Sequence, residues 1–594
     1  MKRRDFLHTL AATTTTSLAP LASANPIVRR VRPGEAGWPS AESWARLNQE
    51  VGGTLQRVAP VFGACAGAAA SAACGDERRY HDNPYWIGDQ AGGTQNSGWL
   101  DAWRPALSAY AVKARNAGDV AAAVNFARKN ALRLVVKGGG HSYLGTSNAP
   151  DSLLVWTRAL NSVKLHEAFV PIGCEGRLAP VPAVSAGAGA MWIDLYHAVT
   201  TRAGRYVQGG GCMTVGVAGL VQSGGFNSFS KCFGTAAANL LEAEIVSADG
   251  QVKVVNPARD PDLFWAIKGG GGGTFGVVTR VTLRTHDLPV HFGAAWGKIK
   301  ATSDAAFVQL IARFMDLYQQ ALFNPHWGEH VHLGPDNTLE LNMISQGLDS
   351  SEVHAVWRPF FAWVKSSPEL FTIASPVGCD AWHARGWWDV EKNQSMAADP
   401  RPGAPSHHGW TRGDIGELSV LLHGYDSLWL PAALLEQRKT LDAALFAASR
   451  HQMLRLFFGK GLAGATPAVR EAALQTATNP AVVDAFVLVI IADGEKAADP
   501  AQGSQPGNLQ GARGNADAIA KAAATLRRIA PHSGSYVSES NYFNPNWQQE
   551  YWGANYARLQ AIKAKADPDG LFYVYHGVGS EAWSDNGFTR RALG

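Results

Sequence analysis

One stretch of this sequence reads Val135-Val136-Lys137-Gly138-Gly139-Gly140-His141-Ser142-Tyr143-Leu144-Gly145, an apolar strand pattern that runs into three glycines and a histidine. Glycine lets the backbone turn tightly and approach a ligand closely, so successive N–H groups can form a nest for an anion. A second stretch reads Gly209-Gly210-Gly211-Cys212-Met213-Thr214-Val215-Gly216-Val217-Ala218-Gly219 and sets one thiol between two groups of glycines. Two glycine-rich loops that each hold one nucleophilic side chain suggest a phosphate-bearing cofactor that is attached at two points.

The residues around these loops predict alternating strands and helices. Apolar spacing predicts a strand, a helix and a strand before the His141 loop, and a strand and a helix before the Cys212 loop. Asp249-Gly250 between two apolar runs is a hairpin signal. The predicted strands are 110–112, 132–136, 184–188, 241–247, 252–255, 277–283, 330–333, 339–344, 453–458 and 485–491; the predicted helices are 117–130, 191–203, 304–320 and 515–529; residues 494–514 are predicted to be a surface loop.

The two loops resemble the flavin-attachment loops of the berberine-bridge-enzyme-like oxidases, which share the vanillyl-alcohol-oxidase type of FAD-binding fold. The resemblance continues through residues 260–279 and returns near the C-terminus in residues 551–572. It implies an α+β chain, with a two-lobed FAD-binding domain and a substrate domain in which helices cover an antiparallel sheet. It also implies that His141 bonds the flavin 8α-methyl group and that Cys212 bonds ring position 6. Many relatives carry an acidic residue directly after the histidine, whereas this chain has Ser142, and that change can alter how the imidazole is oriented.

The resemblance further implies which residues bind FAD and which residue acts as the base. In sugar-oxidising members a Tyr-x-x-Tyr element near the flavin contributes the base, and here Tyr536 matches the first tyrosine while Glu539 stands at the second. We therefore predict that Tyr536 or Glu539 is the base, with a surface strand as the alternative; in a strand the two side chains project roughly opposite ways unless a bulge re-aims one. The predicted cofactor contacts are Lys137, Gly138, Gly139, Gly140, His141, Ser142, Gly145, Cys212, Thr214, Val215, Gly216, Gly219, Gly224, Gly225, Val246 and Tyr575.

Two other motifs have weaker interpretations. Lys268 precedes five glycines but lacks the Gly-Lys-Ser/Thr ending of a nucleotide P-loop, so close packing or FAD contact is the better interpretation. His330 and His332 lie on one face of a predicted strand, and His326 is close in sequence. No matching carboxylate or cysteine spacing supports zinc, so a substrate-facing or buried structural pair is favoured.

A group of tryptophans makes the middle of the chain rich in aromatic residues. Core packing explains most such residues, and stacking walls for a sugar or aromatic substrate are the alternative. The group comprises Trp382, Trp387, Trp388 and Trp410.

Composition restricts the class of protein. With 594 residues the chain exceeds what one hydrophobic core supports, and 46% apolar with 17% charged residues is typical of an ordered globular protein. The formal net charge is +4 and no dense Lys/Arg tract occurs, so nucleic acid is excluded as an expected partner.

We predict an N-terminal extension (25–104), an FAD-binding domain (105–287), a substrate domain (288–535) and a C-terminal segment that returns to the FAD domain (536–594).

The N-terminus has the pattern of an export signal. Lys2-Arg3-Arg4 precedes a mildly apolar stretch, and Ala22-Ser23-Ala24 is a small-residue cleavage site, so residues 1–24 are predicted to be a Tat-type signal, with a Sec signal as the alternative. This stretch is too short and polar to span a membrane, so no span is expected in the mature protein, which would be periplasmic or secreted. Of the six cysteines, Cys65 and Cys74 are predicted to form a disulfide or to remain two semi-buried thiols.

Taken with the resemblance, these patterns predict an exported oxidoreductase that carries covalent FAD. A base removes an O–H proton while hydride moves to the flavin, and dioxygen is the expected electron acceptor. A dehydrogenase of the same fold with a quinone or protein acceptor is the nearest alternative, and a non-catalytic flavin- or glycan-binding protein is another. Sugars, other secondary alcohols, amines and aromatic metabolites all remain open as the small-molecule substrate.

Overall fold

The computed structural model describes residues 29–67, 72–496 and 506–591. The predicted export signal lies outside these residues. Three β-sheets of four, six and eight strands organise the described chain, together with a small pair formed by Ala397–Ala398 and Gly409–Trp410. The chain therefore contains both helices and sheets, and the predicted α+β fold class is confirmed.

The four-stranded sheet contains the strand–helix–strand unit that leads into the His141 loop. Helix Ala117–Lys129 buries Val120, Ala123, Val124 and Ala127, at the spacing of one helical face, and the Asn116 side chain caps it by accepting from the Asp119 amide. The parallel strands end at the same edge, so the glycine loop leaves the sheet at the carboxyl end of Arg133–Lys137. In spatial order the strands are Leu55–Arg57, Tyr110–Lys113, Ser152–Trp156 and Arg133–Lys137.

The six-stranded sheet is antiparallel and carries the Cys212 loop at its side. The Asp249-Gly250 hairpin is confirmed, since the two strands around it pair directly and Gly250 has φ +77°, a conformation that glycine adopts without strain. The predicted helix before the Cys212 loop begins as Trp192–Leu195 and continues as a π-helix, Tyr196–Arg202. The strands are Val252–Val255, Leu240–Val246, Val277–Asp287, Val181–Gly187 and Val163–Phe169 in spatial order, with Arg205–Val207 paired beside Val277–Asp287.

The eight-stranded sheet has one covered face and one open face. Along Trp327–Leu333, Val331 and Leu333 are buried in a core under the helices, while His330 and His332 point the other way. The covering helices are Asp304–Leu317, Ser350–Lys365, Arg438–Ser449 and Leu509–Arg527. The strands in spatial order are Phe371–His383, His291–Ala301, Thr338–Gln346, Trp327–Leu333, Leu454–Phe457, Ala485–Lys496, Val420–Pro431 and Gly98–Trp99.

The predicted loop 494–514 is wrong at both of its described ends. Strand Ala485–Lys496 continues past residue 494, and the last covering helix begins at Leu509 rather than at residue 515. The Asn508 side chain accepts from the Gly511 amide and so starts this helix. Asn and Gly favour loops on average, but here Asn508 caps the helix and Gly511 and Gly514 lie within it.

The terminal segments close the molecule around the first sheet. Helix Ala41–Glu50 stacks Trp44 on Tyr110 with ring centroids 4.1 Å apart, and Leu134 forms a parallel bridge with Phe572 of the C-terminal segment. Cys65 and Cys74 are joined in a disulfide, which confirms the paired alternative. The remaining helices are Gly63–Gly67, Ala72–Tyr80, Pro84–Gly88, Val217–Gln222, Ser230–Phe233, Pro261–Ala266, Arg412–Glu417, Pro467–Leu474, Trp547–Trp552 and Tyr556–Ala566.

Within the described residues, no helix combines the length and apolar character needed to cross a membrane.

Candidate functional site

A cavity of about 2470 Å³ lies between the glycine loops and the open face of the eight-stranded sheet. Small-molecule pockets usually hold about 300–1,000 Å³. The cavity therefore has room for a large cofactor and a substrate together.

The His141 and Cys212 loops touch each other through their backbones. A Cβ atom built on Gly139 would lie 2.8 Å from the Gly216 amide nitrogen and 2.9 Å from the Thr214 carbonyl oxygen, so only glycine permits this approach. Gly140 adopts φ +80°, the left-handed conformation that turns the chain toward His141. The spacing of glycines in the sequence thus brings the two nucleophilic residues into one wall of the cavity.

His141 presents a neutral imidazole to this wall. Its Nε2 lies 3.0 Å from Thr214 Oγ1, and burial lowers the pKa of the ring to about 4. A hydrogen bond with the Thr214 backbone opposes this lowering of the pKa. The Ser142 hydroxyl lies 2.7 Å from Thr146 Oγ1 and accepts from the Thr146 amide, so it stabilises its own loop. Thr214 therefore orients the imidazole within the cavity wall.

Cys212 lies beside a carboxylate that sequence reasoning did not find. Its Sγ is 3.9 Å from Glu417 Oε2, and burial together with Glu417 and Asp414 raises the pKa of the thiol well above its usual range. Burial also raises the pKa of Glu417 to about 7, although a hydrogen bond from Tyr143 opposes the shift. A carboxyl group with this pKa can accept the thiol proton near neutral pH.

The segment 535–540 is a turn, and its expected form as a strand is wrong. The Glu539 amide donates to the Tyr536 carbonyl at 2.8 Å, and the two residues form an antiparallel bridge. A tight turn of this kind removes the alternation of a strand, so both residues line the cavity. In a strand, a bulge would be needed for both side chains to face the same side, and here a turn has that effect.

The two residues of this turn have different surroundings. Both carboxylate oxygens of Glu539 accept from Lys460 Nζ at 2.6 Å, and both side chains are mostly buried in the cavity wall. Tyr536 packs edge-on against Phe226, with ring centroids 5.1 Å apart, and burial and the Glu539 charge raise the pKa of its phenol. The phenol therefore keeps its proton near neutral pH, while the carboxylate is held in place by an ammonium group.

A histidine pair faces the cavity from the open face of the sheet. The rings of His330 and His332 stack with centroids 4.6 Å apart, and His330 Nδ1 lies 3.0 Å from Glu329 Oε2. Burial and His330 lower the pKa of His332 to about 2. His326 binds the Gln346 carbonyl instead, and among the described residues none of the three histidines belongs to a group that could hold a metal. The pair therefore lines the cavity, and its contact with a substrate stays a prediction.

Tryptophans form the mouth of the cavity at the edge of the same sheet. Trp296 and Trp382 stack with centroids 6.1 Å apart, and Trp387 lies 6.2 Å from Trp382. Trp388 borders the cavity but is buried in the core and stacks on Tyr196, with ring centroids 4.1 Å apart, and Trp410 is buried in the core away from the cavity. Trp382 and Trp387, two of the four predicted tryptophans, are therefore positioned where a substrate ring could stack on them.

The other predicted cofactor residues divide into two groups. Lys137 lines the cavity, but its ammonium donates to the carbonyls of Gln90, Ala91 and Gly93, and burial lowers its pKa to about 7. Thr214 contributes through His141 and lies outside the lining, as do Gly224, Gly225 and Val246, the last of which is fully buried within its sheet. The remaining predicted residues in the lining are Gly138, Gly139, Gly140, Ser142, Gly145, Val215, Gly216, Gly219 and Tyr575.

The cavity wall fits a dinucleotide such as FAD. At Gly211 and Gly219, which line the cavity, a Cβ atom would meet nothing within 4 Å, so the backbone leaves room for a ligand to approach. The glycines that follow Lys268 contribute Gly271, Gly272 and Gly273 to the same wall. Backbone N–H groups from three glycine-rich segments suit a pyrophosphate, and the two nucleophiles suit a covalent tether.

Comparison with known proteins gives the same assignment. Residues 108–256 match the FAD binding domain family, and residues 535–579 match the family described as berberine and berberine like. A FAD-linked oxidoreductase of Trichophyton verrucosum is 30% identical over 590 residues, which cover 93% of this chain and 91% of that protein.

Solved structures share the fold. A VAO-type flavoprotein from Myceliophthora thermophila C1 is 27% identical with a TM-score of 0.77, over 95% of this chain and 100% of that chain. A glucooligosaccharide oxidase from Acremonium strictum, described with a 6-S-cysteinyl, 8α-N1-histidyl FAD, is 20% identical with a TM-score of 0.61, over 82% of this chain and 94% of that chain. Because the sequence matches run through both glycine loops and the C-terminal turn, the predicted resemblance is confirmed, and this chain belongs to the berberine-bridge-enzyme-like FAD-linked oxidoreductases of the vanillyl-alcohol-oxidase type.

Proposed function

We propose that this enzyme is an oxidase that carries covalent FAD and oxidises an alcohol group of a small molecule, with dioxygen as the electron acceptor. The observation that carries the proposal is the contact between the two glycine loops, which sets His141 and Cys212 in one cavity wall. Bound FAD supplies the acceptance and release of two electrons. The chain supplies attachment, orientation and control of the proton.

His141 and Cys212 are the proposed attachment points. His141 is neutral and lines the cavity, so its imidazole retains a nitrogen lone pair that can act as a nucleophile. Cys212 has Glu417 within 3.9 Å to accept its proton. The histidyl and cysteinyl linkages named for the Acremonium strictum oxidase support the proposal by analogy of fold.

Glu539 is the proposed base for the substrate O–H proton. Its carboxylate lines the cavity, and Lys460 holds both of its oxygens, so the group is fixed in position before a substrate arrives. Tyr536 is less suited to accept a proton, because burial raises the pKa of its phenol and leaves it a donor. Tyr536 is instead positioned to donate a hydrogen bond within the same wall.

The alcohol-type substrate is proposed from the polar groups that face the cavity. His330, His332, Lys460 and Glu539 offer hydrogen bonds, while the Trp296–Trp382 pair offers a flat apolar surface. A hydroxylated ring that stacks on an aromatic surface matches this combination.

Anaerobic mixing of the holoenzyme with a panel of candidate substrates tests the proposal. We expect bleaching of the oxidised flavin absorbance with at least one sugar or other secondary alcohol, and fast recovery when air is admitted. Recovery only after a quinone is added would indicate a dehydrogenase. Absence of bleaching with every alcohol, amine and aromatic metabolite in the panel would contradict the enzymatic proposal.

We also propose export from the cytoplasm. The twin arginines Arg3-Arg4 and the Cys65–Cys74 disulfide support this, because disulfides persist in oxidising compartments. The test is expression in a Tat-competent bacterium, where the chain should reach the periplasm with its flavin. Substitution of both arginines by lysine should retain it in the cytoplasm, and unchanged export of that variant would contradict the Tat route.

A further inference from the structure

Two histidines and one aspartate meet outside the FAD cavity. Asp194 Oδ1 lies 3.0 Å from His407 Nε2 and 3.2 Å from His408 Nε2, and the three potential ligand atoms all lie within 4.8 Å of one another. The side chains are 16%, 23% and 10% exposed, so the group is largely shielded from water. None of these residues takes part in the proposed reaction.

The surroundings hold this group in place and supply no other cation. Asp194 Oδ2 accepts from the Met191 amide at 2.9 Å, which fixes the carboxylate at the start of helix Trp192–Leu195. His408 stacks on Tyr85 with centroids 4.4 Å apart and nearly parallel planes. Within the described chain, the only ion-pair contacts of Asp194 are with the two imidazoles, and no lysine or arginine neutralises it.

The ligand set and spacing match a divalent cation of the zinc type. Zinc binds imidazole nitrogen and carboxylate oxygen at about 2.0–2.2 Å, so two ligand atoms around a tetrahedral ion are separated by about 3.3 Å. The separations of 3.0 and 3.2 Å between the Asp194 oxygen and the two imidazole nitrogens are close to that value, and the two nitrogens lie within 4.8 Å of each other. We propose that Asp194, His407 and His408 bind one zinc ion, with water in the remaining position.

Such an ion would join two parts of the cavity wall. Residues 392–396 line the cavity, and His407 and His408 follow them in the chain. Asp194 belongs to the helix whose Trp192 and Ile193 amides donate to the Val215 and Met213 carbonyls of the Cys212 loop. The ion would therefore fix the 392–396 segment relative to that loop, which gives it a structural role.

Metal analysis of the tag-free holoprotein tests the site. The protein is stripped with a chelator, dialysed against zinc chloride in the presence of a competing chromophoric chelator, and its bound zinc is counted by mass spectrometry. We expect one tightly held zinc ion per chain and a higher Tm with zinc. His407→Gln and His408→Gln should each weaken zinc binding by at least tenfold and remove the zinc-dependent rise in Tm.

His451→Gln is the matched control, because His451 is an exposed histidine far from the group in sequence and should leave zinc binding unchanged. A parental far-UV circular dichroism spectrum and a cooperative thermal transition establish that each variant is folded, and the more exposed His407 is the safer substitution if His408→Gln fails to fold. Zinc binding that is equal in the parent, His407→Gln and His451→Gln proteins, or absent from the parent, would overturn the proposal and leave a hydrogen-bonded cluster only.

Discussion

Cys212 illustrates how a reactive residue depends on neighbours that sequence spacing does not reveal. Glycines on both sides make the thiol conspicuous, but its surroundings oppose ionisation, because burial and two carboxyl groups raise its pKa. Glu417, whose Oε2 lies 3.9 Å from the thiol sulfur, is also the group that can take the proton. The sequence therefore indicates the nucleophile, and only the fold reveals the residue that activates it.

Separate removal of the two nucleophiles should separate the two linkages. His141→Ala removes the proposed 8α attachment while leaving Cys212 able to bond, and Cys212→Ala should have the converse effect. The measurement is flavin retained after denaturation, followed by mapping of the flavin-bearing peptides. Flavin found on the His141 peptide alone in the parent protein would indicate a single linkage, and an unchanged map in His141→Ala would contradict that assignment.

Glu417 should control the rate at which the Cys212 linkage forms. Its pKa of about 7 means that the carboxylate is deprotonated above that pH and can then accept the thiol proton. When protein produced without flavin is incubated with FAD, cysteinyl attachment should accelerate as the pH rises from 6 to 8. Glu417→Gln should slow attachment and remove this rise.

His141 linkage in the same samples is the control for that experiment, because its attachment does not involve Glu417. A Glu417→Gln protein that attaches flavin to Cys212 at the parental rate and with the parental pH dependence would contradict the role of Glu417.

Glu539→Gln should slow substrate-driven reduction of the flavin by roughly 10²–10⁴-fold, which is the usual contribution of a general base. The amide keeps the size of the side chain and one contact with Lys460 but cannot take the proton. Tyr536→Phe should have a much smaller effect, because its phenol is already protonated. Stopped-flow absorbance under anaerobic conditions gives both rates, after intact flavin attachment is established. Equal rates in all three proteins would move the search for the base to His330 and His332.

Several residues of the site could be predicted and others could not, for a physical reason. His141 and Cys212 were predicted because glycine-rich loops mark close backbone approach over a short span of sequence. Glu417 and Lys460 lie far along the chain from Cys212 and Glu539, in segments without a motif. Tertiary folding alone brings them into contact.

At the scale of elements, the contact between the two glycine loops depends on a lack of side chains. Gly139→Ala should separate the loops, since the added Cβ would lie 2.8 Å from the Gly216 amide nitrogen. We expect less covalent flavin and a lower Tm, measured by absorbance of denatured protein and by thermal unfolding. Gly514→Ala is the control, because that helical glycine has open space around its Cβ position and should gain up to about 1 kcal/mol of stability. Full flavin attachment in Gly139→Ala would contradict the importance of the contact.

Periodic elements were predicted well, and short or capped elements were not. Helix Ala117–Lys129 and the hairpin around Asp249-Gly250 follow from apolar spacing and turn chemistry. The turn at Tyr536–Glu539 was expected to be a strand because four residues are too few to distinguish the two patterns. The helix that begins at Leu509 was missed because Asn508 acts as its cap rather than as a loop residue.

At the scale of the whole molecule, an N-terminal and a C-terminal segment pair with the sheets that border the cavity. Strand Gly98–Trp99 extends the eight-stranded sheet by pairing in parallel with Val420–Pro431. A two-residue strand carries no periodicity, so the sequence could not predict this contact. The C-terminal segment contributes Tyr575 to the cavity and joins the first sheet through Phe572. The predicted domain boundaries remain predictions.

Arg30 should be the residue on which this closure most depends. Its guanidinium is buried, lies 4.1 Å above the Trp583 ring, and donates to the carbonyls of Gly570, Leu571 and Gly587. Arg30→Met keeps an apolar stem but leaves these buried carbonyls without their donor, which should cost about 2–4 kcal/mol. We expect a lower Tm, and we expect flavin fluorescence to rise at a lower temperature on heating.

Arg29→Met is the matched control for that substitution. Arg29 is the preceding residue, its side chain is 64% exposed, and it pairs at the surface with Glu35, so its removal should cost at most about 1 kcal/mol. Both substitutions remove one positive charge from the same segment, so any difference between them comes from burial and the three carbonyl contacts. Equal Tm values for the two variants would mean that the N-terminal segment adds little to the stability of the cavity wall. A lower value for Arg30→Met alone would show that residues outside both glycine loops help to keep the cofactor site closed.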